Sequence, residues 1–240
     1  MKQKRWTIRL PLIYKSVPIA LSDHLWQIKH FCLGDWCLKI LCLTGGLASG
    51  KSTATKFLEE QGAMIIDADK LGHRVYDPGT QAYRRVIETF GEDVVDDDNR
   101  IDRKVLGGKV FGQPAALKQL TDIVWPEIRR LAELEIAGYD AAYPDGVVVL
   151  EAAVLFEAGW EDIGDEVWVV VVDREIAIER AMARDGFPRE AVEQRLNAQL
   201  SNDERCQRAD VVIDNSNALS HLQAQLAEQW MRLSGAGKTL

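Results

Sequence analysis

A run of glycines closed by a lysine and a hydroxyl residue, in a fixed register, can hold a phosphate group. Gly45-Gly46-Leu47-Ala48-Ser49-Gly50-Lys51-Ser52 has that register, Gly-x-x-x-x-Gly-Lys-Ser/Thr, and Thr53 follows it. The glycines let the backbone curl so that successive N–H groups converge on phosphate oxygens. A helix that starts at the loop's end adds its N-terminal partial positive charge. Gly46 through Thr53 are therefore the candidate ATP contacts. Lys51 is the cation that reaches the β- and γ-phosphates, and the Ser52 hydroxyl is the candidate ligand of Mg²⁺.

Two further groupings fit phosphoryl transfer. Transfer to a hydroxyl needs a carboxylate to orient that hydroxyl and accept its proton. Asp67-Ala68-Asp69 ends an apolar run, where residues two apart in a strand would share a face opening into the crevice of a parallel sheet. An aspartate there also makes a helix cap, so one role falls to each, with Asp69 as the base. Arg180 and Arg184, four apart, share one helix face, from which two guanidiniums could neutralise charge during transfer. The same spacing fits a solvated face that pairs with Glu179 and Asp185.

These residues need a scaffold, and the apolar pattern supplies one. Short buried runs at 38–43, 63–66, 147–150, 167–172 and 211–213 alternate with helical stretches at 52–61, 81–90, 114–138, 174–185, 188–204 and 217–233. That alternation predicts an α/β fold with a parallel five-stranded sheet covered on both faces. The interval 68–145 holds helices and no good strand, which predicts an inserted helical subdomain beside the sheet. Gly235-Ala236-Gly237-Lys238-Thr239 imitates the phosphate loop, but Arg232 stands at its first glycine position and no helix can follow. Residues 234–240 read as a frayed tail.

Composition bounds the rest. The chain has 240 residues and a net charge of −8, which argues against a nucleic-acid-binding surface over the whole molecule. No window approaches a membrane-spanning run, so a soluble, cytoplasmic protein is expected. Residues 1–38 differ from the remainder, with six Lys/Arg against two Asp/Glu. They read as an extension outside the catalytic domain, and a mitochondrial location follows if they are a targeting segment. Cys32, Cys37, Cys42 and Cys206 fit no zinc spacing and read as reduced thiols.

The loop sequence Leu43 to Thr53, with Ile65-Ile66-Asp67-Ala68-Asp69, resembles dephospho-CoA kinase. Matching blocks continue at Phe90-Gly91, Arg103-Lys104-Val105-Leu106, Leu155-Phe156-Glu157, Arg180 to Gly186 and Ala209 to Asn215, across about residues 39–233. Leu71-Gly72-His73-Arg74 and Trp125-Pro126 are most similar to the kinase part of the animal bifunctional CoA synthase. Many bacterial members have His-Pro at the latter position, and often Asp and Pro where Glu151 and Ala153 stand. The resemblance implies a P-loop three-layer fold and phosphorylation of the ribose 3′-hydroxyl of dephospho-CoA by ATP with Mg²⁺. It implies Asp69, Lys51, Arg180 and Arg184 as the catalytic set, the arginines in a helical lid. It also implies Asn215 on the adenine side, and Asp67, His73, Arg74 and Arg103 toward the acceptor. The alternatives are another small-molecule or nucleotide kinase of this fold, or an ATP-binding regulator without turnover; the Asp67/Asp69 pair and the lid arginines favour chemistry over switching.

Overall fold

Apolar runs flanked by amphipathic helices bury both of their faces by lying side by side between helical layers. In the computed structural model, which describes residues 37–235, five strands do so. They are β1 (Lys39–Gly45), β2 (Met64–Asp67), β3 (Val147–Glu151), β4 (Glu166–Val171) and β5 (Val211–Asp214). The order is β2-β3-β1-β4-β5, and every pairing is parallel. Leu43 of β1 lies opposite Glu151 on one side and Trp168 on the other, and Asp67 of β2 lies opposite Glu151. The carboxyl ends of β1, β2 and β3 thus gather at one edge. Because β1 has β3 on one flank and β4 on the other, the strand order reverses there and opens a crevice.

After β1 comes α1 (Lys51–Glu60). The interval between β2 and β3 holds α2 (Ala68–Arg74), α3 (Gln81–Phe90), α4 (Arg103–Val110) and α5 (Pro114–Asp140). Beyond β4 follow α6 (Arg174–Asp185), α7 (Arg189–Asn197) and α8 (Asn202–Arg208), then α9 (Leu219–Ser234) after β5. Side chains alternate across the sheet as strand geometry requires. Leu41, Leu43, Val149 and Trp168 pack with Ala54 and Leu58 of α1 and Leu222 and Leu226 of α9. On the opposite face Ile40, Cys42, Val148 and Leu150 pack with Leu71, Val86, Ile128 and Ala132 from the inserted helices. The expected helical insertion is present, and its core is continuous with one face of the sheet.

Two expectations need correction. The stretch 188–204 is two helices: α7 stops at Asn197, and Ser201 starts α8 with a capping box closed by Glu204. Asp69 does not lie on a strand, because β2 ends at Asp67 and Asp69 falls in the first turn of α2. Asp67 is the N-cap, accepting from the Lys70 N–H at 3.1 Å. Pro126, which lacks the N–H that would bond one turn back, is carried inside α5 without ending it.

At the C-terminal end, Ser234 still belongs to α9 and Gly235 caps it in the left-handed region. The rest of the predicted tail, residues 236–240, lies outside the described residues. So do residues 1–36, and with them the reading of a targeting segment and Cys32. No helix among the described residues is long and apolar enough to cross a membrane.

Candidate active site

The phosphate loop runs from the end of β1 into α1. Its shape depends on two glycines. A Cβ on Gly45 would sit 2.4 Å from the Val170 carbonyl oxygen, so the close approach of β1 to β4 needs its absence. Gly50 caps α1 at φ 100°, ψ 19°, a conformation L side chains rarely adopt. Ala48, a residue with a side chain, also sits at φ 55°. Holding it there costs about 1–2 kcal/mol, so the loop must be braced from outside.

Two side chains from the C-terminal part of the chain hydrogen-bond the loop, and a third lies against it. Asn215, buried just after β5, donates from Nδ2 to the Ser49 carbonyl at 2.8 Å. Gln199, in the break between α7 and α8, accepts from the Leu47 N–H at 3.0 Å. Arg205 on α8 is 2% exposed, and its Nη1 would stand 3.5 Å from a Cβ on Gly46. Asn215, the residue expected on the adenine side, thus ties the strand end after β5 to the loop backbone. Gln199 and Arg205 carried no expectation, yet Ser201-x-x-Glu204 is a capping box legible in the sequence. Read as such, it breaks the 188–204 helix and turns attention to the residues between.

Lys51 donates from Nζ to the Gly45 carbonyl at 2.9 Å. Burial is the main force on it and pushes its ammonium below the ordinary lysine value. The Glu151 and Asp69 carboxylates pull it back up, and the Arg205 and Arg184 guanidiniums press it down again. Those four groups therefore lie close enough to Lys51 for their charges to act on it.

Ser52 is exposed in the first turn of α1, and its hydroxyl has no hydrogen-bond partner among the described residues. Glu151 at the end of β3 accepts from the Thr55 hydroxyl at 2.8 Å through Oε2. No group of three or more His, Cys, Asp or Glu among the described residues could hold a metal ion by itself. One hydroxyl and one carboxylate, completed by phosphate oxygens and water, is a donor set that suits Mg²⁺ brought in with a nucleotide.

Asp69 also lines a cleft of about 420 Å³ shared with His73, Tyr76, Arg103, Trp125 and Trp160. Arg103 has only donors, so its contact to His73 Nε2 at 2.8 Å makes that nitrogen the acceptor. Burial raises the Tyr76 phenol above its ordinary value, and Arg103 opposes that shift. Arg74 is not part of this cleft. It pairs with Glu135 of α5.

On the other side, Ile178 and Ala181 of α6 and Val192 of α7 pack on Leu47 and Ala48 of the loop. The expected lid helices therefore rest on the phosphate loop. Their arginines differ. Arg184 forms a two-pronged pair with its neighbour Asp185, at 2.7 and 2.8 Å. Arg180, half-buried one turn earlier, has no ion-pair or hydrogen-bond partner among the described residues.

A parallel sheet of this order, with a glycine-rich loop joining its central strand to a helix and a carboxylate beside the loop lysine, defines a P-loop kinase fold. Relatives narrow the class. The dephospho-CoA kinase family profile matches residues 39–221. The chain belongs to that family. It is 46% identical to dephospho-CoA kinase of Geobacter sulfurreducens over 195 residues, 81% of this chain and 98% of the relative. Identity to dephospho-CoA kinase of Carboxydothermus hydrogenoformans is 41%, over 79% of this chain and 91% of that one. Among solved structures, a Thermus thermophilus protein superposes with a TM-score of 0.69 at 33% identity, covering 82% of this chain and 98% of its own. Dephospho-CoA kinase from Campylobacter jejuni gives 0.64 at 27% identity, covering 83% and 99%.

Proposed function

We propose that this protein transfers the γ-phosphoryl group of ATP to the ribose 3′-hydroxyl of dephospho-CoA. What supports this reading is Asp69, which lines the cleft and also acts electrostatically on Lys51 beside the phosphate loop. A hydroxyl held in the cleft gives its proton to the Asp69 carboxylate as its oxygen bonds to the γ-phosphorus. The bond from that phosphorus to the β–γ bridging oxygen breaks, and ADP leaves with the electron pair. Lys51, with Arg180 and Arg184 from the lid, offsets the charge spread over the transferring group. Bound Mg²⁺ would neutralise phosphate charge, with the Ser52 hydroxyl and the Glu151 carboxylate as its protein-side donors. His73 and Arg103 offer positive and hydrogen-bonding groups to the phosphates of the acceptor, and Asp67 fixes the start of α2 so that Asp69 is held at the cleft.

The test is ATP consumption with dephospho-CoA, with other alcohols and with no acceptor, together with phosphorus NMR of the product. Acceptor-dependent turnover giving a 3′-phosphomonoester supports the assignment. Equal ATP consumption in all three arms would remove the acceptor from the reading.

A further inference from the structure

Arg205 is a charged side chain that the reaction outlined above does not use. Its guanidinium is 2% exposed, and Nη1 donates to the Leu200 carbonyl. Nε and Nη2 have no hydrogen-bond partner among the described residues. The Glu157 carboxylate stands 3.6 Å from Nη2, near enough to share charge and too far for a good hydrogen bond. Buried N–H groups on a cation are costly to leave unmatched, and water cannot reach these. The side chain lies against Gly46, where the missing Cβ leaves it next to the loop backbone. Its charge is felt at Lys51, the residue that faces the phosphates.

We infer that Arg205 is a phosphate-contacting residue of the nucleotide site, its guanidinium lying against Gly46 and its unmatched donors available to an oxygen of the ATP polyphosphate chain. This rests on the phosphate-loop reading proposed above. A planar fork of two donors matches a phosphate edge in a way a lysine cannot. Since the guanidinium is sealed from water, the oxygen reaches it only if the loop adjusts against the 198–201 connection. One hydrogen bond, from the Leu47 N–H to Gln199, holds that connection to the loop. The capping box of Ser201 and Glu204 fixes α8 and so fixes where Arg205 stands.

Inorganic tripolyphosphate with Mg²⁺ isolates this contact from adenine and acceptor. Its affinity is measured by calorimetry on the full chain, the Arg205→Met variant and the Arg205→Lys variant. Arg208→Met, one turn further along α8 where the arginine pairs with Glu161, is the control. Arg205→Met is expected to bind at least about tenfold more weakly and Arg205→Lys about threefold or more, with Arg208→Met unchanged. Millimolar guanidinium should restore part of the turnover lost in Arg205→Ala and none of that lost in Lys51→Ala. Equal affinity in the parent and Arg205→Lys, or in the parent and a folded Arg205→Met, overturns the role of Arg205. A parent protein that fails to bind tripolyphosphate overturns instead the phosphate-loop reading beneath it.

Discussion

Replacing Gly50 with alanine tests how the loop is held together. The added Cβ would lie 2.1 Å from Asn215 Nδ2 and 3.2 Å from its Cγ, so Asn215 must move. Moving it breaks the 2.8 Å hydrogen bond to the Ser49 carbonyl. That bond is buried, and its loss costs about 1–3 kcal/mol. Forcing an alanine into the left-handed region at φ 100° adds about 1–2 kcal/mol. The sum, about 2–5 kcal/mol, corresponds to a fall in melting temperature of roughly 4–20 °C for a domain of this size. Asn215→Ala alone should cost only the hydrogen-bond part.

The two losses share one interaction, so the double variant should cost less than the sum of the singles by about 1–3 kcal/mol. Urea denaturation of the ligand-free parent, both singles and the double gives the coupling directly. If the four values add to within about 0.5 kcal/mol, Asn215 is not what Gly50 makes room for, and the account of the loop fails. The Gly50→Ala protein should also bind ATP more weakly, because the amides after residue 50 turn with it.

Asp69→Asn should bind ATP about as well as the parent and transfer phosphate roughly 10²–10⁴-fold more slowly, measured in single turnover. Asp67→Asn, which keeps a helix cap, should stay active; the reverse pattern would exchange their roles. Lys51→Met should abolish turnover without lowering the melting temperature of the ligand-free protein, since burial already disfavours the ammonium; a large drop in melting temperature contradicts this. Arg180→Ala should lower turnover far more than stability, because no ion pair is lost with it. Arg232 and Trp168 hold Glu166 below the ordinary carboxylate range, despite partial burial that opposes them. A group depressed in the fold contributes stability above its unfolded value, about 4.3, and loses it as pH falls further. Glu166→Gln should therefore flatten the acid limb of stability below that pH and leave activity near neutrality unchanged.

The parts of the site legible in the sequence are those built from contiguous residues. The loop glycines, Lys51 and Ser52 follow from local backbone needs, and the five apolar runs follow from burial on both faces of a sheet. Asp69 occupies a helical turn, so the shared-face argument for strands does not apply to it. What the sequence hid is contact between distant segments. Gln199 meets Leu47 across 152 positions, and Asn215 meets Ser49 across 166. Neither has a spacing that a motif can express. Arg74 shows the converse: next to His73 in sequence, it is turned away to Glu135 by the pitch of α2.

Charged groups from several elements act on Lys51 beside the loop. Arg205 and Arg184 both act against the Lys51 ammonium, so the ligand-free site holds like charges that repel one another in a partly dry setting. Glu151 and Asp69 each act on that ammonium more strongly than either guanidinium does, and Glu151 is also engaged by Thr55. Without Asn215 and Gln199 the loop could relax by swinging away from these cations and leaving the left-handed turn at Ala48. An incoming polyphosphate is attracted by Lys51, Arg184 and Arg205 and repelled by Glu151 and Asp69. A variant that removes Arg184 or Arg205 should therefore bind nucleotide less well than the parent.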